Sequence, residues 1–465
     1  MSKDRSKDRD KNWKDKLRSS QKENKRLRGR LKELMCSRDM WRGKYKGLLC
    51  SSAKLDFRLG GERARGHLYS LFVVELCVRI CQYGGSSLRG CQHSLKCLLL
   101  VLGIRTVCPS HVSVRNWVLK HGYHRWQARG AASAGAGEWA LIMDESVSVG
   151  AERLLVVLGL DLSDWKFERP PRVEDMEVLH LEVRAEWKGE DVAGVLRQVG
   201  TSHQVAQLLS DCGTNLLKAS ELSGYLHFSD CSHVLASTLK RHLAGREDFK
   251  AFGHLTGELR RHWTTSQYAQ WRPPRLRGKS RFMNIFPLVK WAEKVLKQGT
   301  LLPEQVLQKT EWLRQNRGFV EDMGDLMRLA SGIMSLLKTQ GASVRSLQKA
   351  AQVIKQSASE LVQAISADIK SYLQKLEAKL PGERHAFLCC SDIIETVFGK
   401  FKCRLNPQAR SGITDLALII PHFCGKTSTE QIRAALENVQ NQQVRNWKNE
   451  QGKNVPKNTN NGEKK

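Results

Sequence analysis

The sequence predicts an α/β core, a mixed sheet with helices on its faces, set between an all-α N-terminal region and a long α-helical insertion. Between 138 and 243, short apolar runs fall in the order strand, strand, strand, then helix–strand–helix–strand–helix. Up to 128, and again from 244 to 388, apolar residues recur at helical spacing instead. Where the period first changes, residues 129–137 (RGAASAGAG) form a small-residue linker.

The bulk composition constrains partners more than fold. A hydrophobic content of 41% in 465 residues is globular and large enough for several domains. Lys plus Arg is 76 against 47 Asp plus Glu, a formal net charge of +29. Such a field binds polyanions, with nucleic acid the first expectation; a merely adhesive basic protein carries the same charge. No apolar run is long enough to span a membrane, so none is expected as a partner. The opening MSKDRSKDRDKNWKDK has no apolar segment of a secretory signal, so a cytoplasmic setting is expected. The 13 cysteines, in no regular framework, are then reduced thiols.

Residues 1–50 hold 18 basic and 7 acidic side chains, a net +11. A heptad fits them, with Leu17, Asn24, Leu31 and Tyr45 on one seam position and Leu27, Leu34, Trp41 and Leu48 on the other. Ser20 and Arg38 break the stripe, and Gly29 and Gly43 weaken the helix. A basic helix pairing with a second copy, and a lone helix that folds on DNA, both fit.

Residues 51–128 read as a helical DNA-binding region. Leu68 to Val78 forms one helix ended by Gly84-Gly85, and Ser86-Ser87 opens another through Leu100. Ser110 is a good N-cap for a third over His111 to Lys120, with Gly122 just past its end. In a helix–turn–helix reading, Ser110, Ser113, Arg115 and Asn116 face DNA, while Val112, Val114, Trp117 and Val118 face mainly inward. A plain helical bundle has the same pattern. Cys77, Cys81, Cys91, His93 and Cys97 cluster here, but without a CxxC pair, so packed thiols are favoured over zinc.

The core is expected in two parts. In 138–243, strands are predicted at Trp139–Met143, Leu154–Leu160, Val178–Val183, Gln204–Ser210 and Tyr225–Ser229, with helices at Gly189–Val199, Thr214–Leu222 and Ser232–Leu243. The insertion, 244–388, has a basic loop over 271–281 that Pro273-Pro274 keep from being helical. Helices follow at Val306–Leu313, Leu326–Leu337 and, unbroken, from about Val344 to Leu380. The second part of the core, 389–425, carries the amphipathic helix SDIIETVFGKFK, with Ile394, Val397, Phe398 and Phe401 inward. The polar stretch 440–465 reads as a disordered basic tail.

Three acids stand out: Asp144 where the first strand leaves the core, Asp211 after a later strand, and Glu395 on the late helix. A carboxylate at the end of a core strand needs a partner. Hard oxygen donors suit Mg²⁺ or Mn²⁺, and two such ions activate the nucleophile and stabilise the leaving oxygen at a phosphodiester. Each acid has an ordinary use as well: Asp144 in a turn, Asp211 as a helix N-cap, Glu395 as a solvated helix acid. Asp230 rivals Asp211, and Asp392 or Glu383 rivals Glu395.

On these residues the chain resembles a known family. DES at 144–146, SDCGTN at 210–215, Asp230-Cys-Ser-His233 and IIETVFGKFK at 393–402, in that order, look like a DDE transposase. The (C/D)xxH pattern and the helical segment before the glutamate resemble the hAT-like arrangement. The likeness spans roughly 138–425, and each motif alone is weak. It implies a ribonuclease-H-like core in which Asp144, Asp211 and Glu395 bind two Mg²⁺ or Mn²⁺ ions. Asp230 and His233 would support the site. It implies double-stranded DNA partners (transposon ends and target), a homodimer or larger assembly, and a cytoplasmic, nucleoid-associated protein of prokaryotic type. Arg115 and Asn116, the basic loop residues Arg272, Arg275, Arg277, Lys279 and Arg281, and Lys400 and Lys402 are the expected DNA contacts. Another ribonuclease-H-like nuclease, or a non-catalytic DNA-binding protein derived from a transposase, remains the alternative.

Overall fold

A computed structural model describes residues 19–42, 61–103, 108–129, 137–147, 152–163, 165–276, 282, 284–382, 386–404 and 416–453. Helix α1 covers 19–42, and every side chain on it is exposed. Three further helices, α2 (Leu71–Gln82), α3 (Leu88–Val101) and α4 (His111–Ala128), form the N-terminal helical layer. Ser87 and Ser110 cap α3 and α4 by accepting from the Gly90 and Ser113 amides.

Helix α4 does not stop before Gly122. It continues to Ala128 because Gly122 is needed inside it: a Cβ there would run into the Leu418 carbonyl oxygen. Val112 is likewise not inward but 50% exposed, whereas Val114, Trp117 and Val118 are buried. Cys77, Cys81 and Cys91 are buried free thiols, while His93 and Cys97 are exposed.

The sheet has five strands: β1 (Glu138–Val147), β2 (Arg153–Asp161), β3 (Glu177–Arg184), β4 (Gln204–Ser210) and β5 (His227–Ser229). Their order is β3-β2-β1-β4-β5. β1, β2 and β3 pair antiparallel, while β4 runs parallel to β1 and β5 parallel to β4. This is a mixed sheet covered on both faces. Alternation along β1 divides its side chains: Trp139, Leu141 and Met143 join one core, and Ala140 and Ile142 the other. The first face is covered by α5 (Gly189–Gly200) and α6 (Thr214–Ser223). The second carries α7 (Cys231–Leu243) and the helices that follow.

The insertion is helical, as its spacing predicts, and built from α8 (Glu247–Trp263), α9 (Phe286–Gln298), α10 (Glu304–Lys309), α11 (Glu311–Gln315), α12 (Arg317–Gln340), α13 (Val344–Val353) and α14 (Glu360–Glu377). Two expected helices are divided. Thr310 Oγ1 donates to the Val306 carbonyl at 2.7 Å between α10 and α11. Ser359 caps α14 by accepting from the Val362 amide, and the chain leaves helical geometry at Ile354. Buried Gln207 of β4 ties the returning chain to the sheet: its amide donates to the Leu388 carbonyl and its Oε1 accepts from the Leu388 amide at 2.8 Å.

After the insertion come α15 (Asp392–Lys402), α16 (Ile419–Phe423), α17 (Thr429–Asn438) and α18 (Asn441–Lys453). All of the last three pack on α4. The tail expected to be disordered from 440 is therefore helical through Lys453, because Trp447 buries itself in the core. Among the described residues, no helix is long and apolar enough to cross a membrane.

Candidate functional site

The parallel register of β1 and β4 pairs Met143 with Ser210. The next residues are Asp144 and Asp211, so the two acids leave the same end of neighbouring strands, about 5 Å apart along the hydrogen-bonding direction. Asp144 is not at the end of its strand. The hairpin to β2 pairs β1 through Val147, placing Asp144 opposite Val156. The β4 ladder stops at Ser210, so Asp144 keeps its antiparallel partner on β2 but lies one residue past its parallel pairing with β4.

Asp144 alternates onto the face of Ala140 and Ile142, which α15 also covers. Ile394, Val397, Phe398 and Phe401 anchor α15 there and leave Glu395 exposed. Burial pushes the Asp144 carboxyl up to about 7, and the charges of Asp211 and Glu395 push the same way. The three acids thus converge electrostatically. Asp211 also serves its ordinary purpose: its Oδ1 accepts from the Gly213 amide at 2.8 Å at the start of α6.

Asp230 is a pinned structural acid. It is 1% exposed. Its Oδ1 accepts from the His233 amide at 2.8 Å, capping α7. Its Oδ2 accepts from the Ser391 amide at 2.6 Å and the Ser391 hydroxyl at 2.9 Å. Burial alone would raise its pKa, but contact with His233 and these amide bonds outweigh it and hold the carboxylate at about 2. It therefore fastens the start of α7 to the segment leading into α15. His233 lies 3.2 Å from Asp230 Oδ1. That contact first, then the charges of Asp211 and Glu395, raises its pKa to about 9. The imidazolium is held beside the acids.

Among the described residues, one trio of metal-type donors comes within 4.8 Å of one another: Asp230, Cys390 and Asp392. Its carboxylates are already engaged, Asp230 as above and Asp392 by Lys338 Nζ at 2.5 Å. The Asp144, Asp211 and Glu395 set is wider than this trio. Its donors are all hard oxygens, and burial with the charges of Asp211 and Glu395 outweighs His233 in raising Asp144; both features fit a divalent ion completed by phosphate and water.

Glu145 carries no separate functional signal in the sequence. It points to the opposite face from Asp144, its carboxyl is raised by burial, and its Oε1 is buried without a hydrogen-bond partner. Strand alternation alone assigns it to that face. Ser391, the other half of the Asp230 clamp, carries no signal in the sequence.

The basic positions are dispersed. Arg272 and Arg275 are exposed on the loop, which is fastened by Arg260 donating to the Pro273 carbonyl at 2.7 Å and by the Trp291 indole donating to the Trp271 carbonyl at 2.8 Å. Burial and then the charges of Arg272 and Arg275 lower the Arg260 pKa, a sign that three cations gather here. Arg277, Lys279 and Arg281 lie outside the described residues, as does Glu383. Lys400 and Lys402 extend from the last turn of α15 over the Phe423 and Phe398 rings. Arg115 and Asn116 are half-buried on α4. No family model matches the chain, and no curated protein matches it.

Proposed function

We propose that the chain is a DDE-type DNA transposase with a ribonuclease-H-like core. The observation that supports this best is the β1–β4 register, which sets Asp144 beside Asp211 on the face where α15 presents Glu395. Asp144, Asp211 and Glu395 would hold two Mg²⁺ or Mn²⁺ ions. Those ions would supply Lewis-acid activation of water or a 3′-hydroxyl and stabilisation of the leaving oxygen. The chain's own contribution is positioning. Rigid strands fix two acids, and the Asp230–Ser391 clamp sets the start of the helix that bears the third. The His233 imidazolium offers a phosphate oxygen a fixed positive donor. Arg272 and Arg275 would hold the DNA backbone, and Lys400 and Lys402 would guide it toward the acids.

The test uses DNA carrying the inverted repeats that flank the gene. With Mg²⁺, a transposase cuts at the repeat ends and joins the freed 3′-hydroxyls to a second DNA. Cleavage without joining would leave a nuclease, and binding without cleavage a non-catalytic DNA-binding protein.

A further inference from the structure

Helix α1 spans roughly 36 Å for its 24 residues and contributes no residue to the hydrophobic core. Its large apolar side chains nevertheless fall on a heptad. Leu27, Leu31 and Leu34 occupy successive seam positions and are 51%, 58% and 63% exposed. Leucines at this spacing, in water, form an interaction surface rather than a solvated face.

We propose that this stripe is the interface for a second copy of the chain, in a parallel, in-register, two-stranded coiled coil over 24–41. Its charges select the occupant and the orientation. With Asn24 at position a, the g-to-e′ pairs of a parallel dimer are Glu23 with Arg28, Arg30 with Met35, and Ser37 with Arg42. One pair is of opposite charge and none is of like charge. An antiparallel pairing sets e against e′, g against g′ and a against d′, so Glu23 could no longer meet Arg28 and Asn24 would face a d side chain instead of another asparagine. In the single chain Glu23 takes Arg26 at 2.7 Å, an exposed i,i+3 pair that exchanges readily for the partner's Arg28. Arg38, at the next a position, turns aside to Asp39 at 3.0 Å. Asn24 fixes the register, because two asparagines facing each other across the seam satisfy one another only when aligned. Lys22, Lys25, Arg26 and Lys32 are left on the outer faces of the pair.

This inference is independent of the proposed chemistry. It is tested by sedimentation velocity on the full-length protein, freed of nucleic acid, over about 1–100 μM. The expected result is a monomer–dimer equilibrium for the wild type. Leu31→Lys with Leu34→Lys should weaken it at least ~100-fold, with the melting temperature of the remaining fold unchanged, since these side chains support nothing else. Glu23→Arg and Arg28→Glu should each weaken the dimer several-fold, and the two together should restore it, which only a g-to-e′ pairing allows. A wild type that stays monomeric, a leucine variant that dimerises like the wild type, or a double charge swap no better than its singles would overturn the proposal.

Discussion

Asp144 and Asp211 are neighbours because Met143 pairs with Ser210 in the parallel β1–β4 ladder, one residue before each acid. The arrangement stores unfavourable electrostatics. Asp144 has a folded pKa of about 7, above its ordinary value, so unfolding releases its proton at neutral pH. The cost appears as pH rises from the unfolded value and is complete above 7. Asp144→Asn should therefore raise stability at pH 8 by up to about 4 kcal/mol, and by little at pH 4. Urea denaturation at the two pH values checks it; equal effects at both would disconnect the gain from ionisation.

Asp230 and Ser391 predict the opposite sign. Asp230→Ala leaves the Ser391 and His233 amides without their acceptor in a buried site. A loss of about 2–4 kcal/mol is expected. Ser391→Ala keeps the amide bond and removes only the hydroxyl, and should cost about 1 kcal/mol. Denaturant midpoints of the two variants measure the difference.

Acid should destabilise the fold through buried histidines. Burial, and next the charge of His422, holds His121 well below its ordinary pKa; its Nδ1 lies 3.0 Å from that of His422. Burial and then Lys379 bring His227 down to about 4. Below pH 6.5 the unfolded chain takes up protons that these residues refuse, so stability falls between about pH 6.5 and 4. His227→Gln should flatten that part of the profile, read as melting temperature against pH.

The fold was legible where period and punctuation agree. The strands themselves, the Ser110 cap and the helical segment 244–388 follow from alternation, capping chemistry and 3.6-residue spacing, whereas the order of the strands in the sheet does not. Long-range contacts were not legible. Gly122 reads as a helix stop until α16 is seen pressing on it, and α18 reads as a polar tail until Trp447 finds its core. The site divides in the same way. Asp144 and Asp211 are announced by apolar runs that precede them, but the partnership of Asp230 with Ser391 joins residues 161 positions apart.

Changing Arg272 and Arg275 together to Ala should weaken DNA binding and lower the slope of log K against log salt by about 1 for each lost phosphate contact. Titrations at several salt concentrations read both quantities. An unchanged slope would place the loop away from DNA.

The proposed function requires Asp144, Asp211 and Glu395 to act as one cleavage site. The most direct measurement is Mg²⁺- or Mn²⁺-dependent cutting of the flanking repeat DNA by the wild type and by Asp144→Ala, Asp211→Ala and Glu395→Ala, with DNA binding followed in parallel. Each substitution should lower cleavage by at least ~100-fold while binding persists. A Glu395→Ala protein that cuts at the wild-type rate would contradict it.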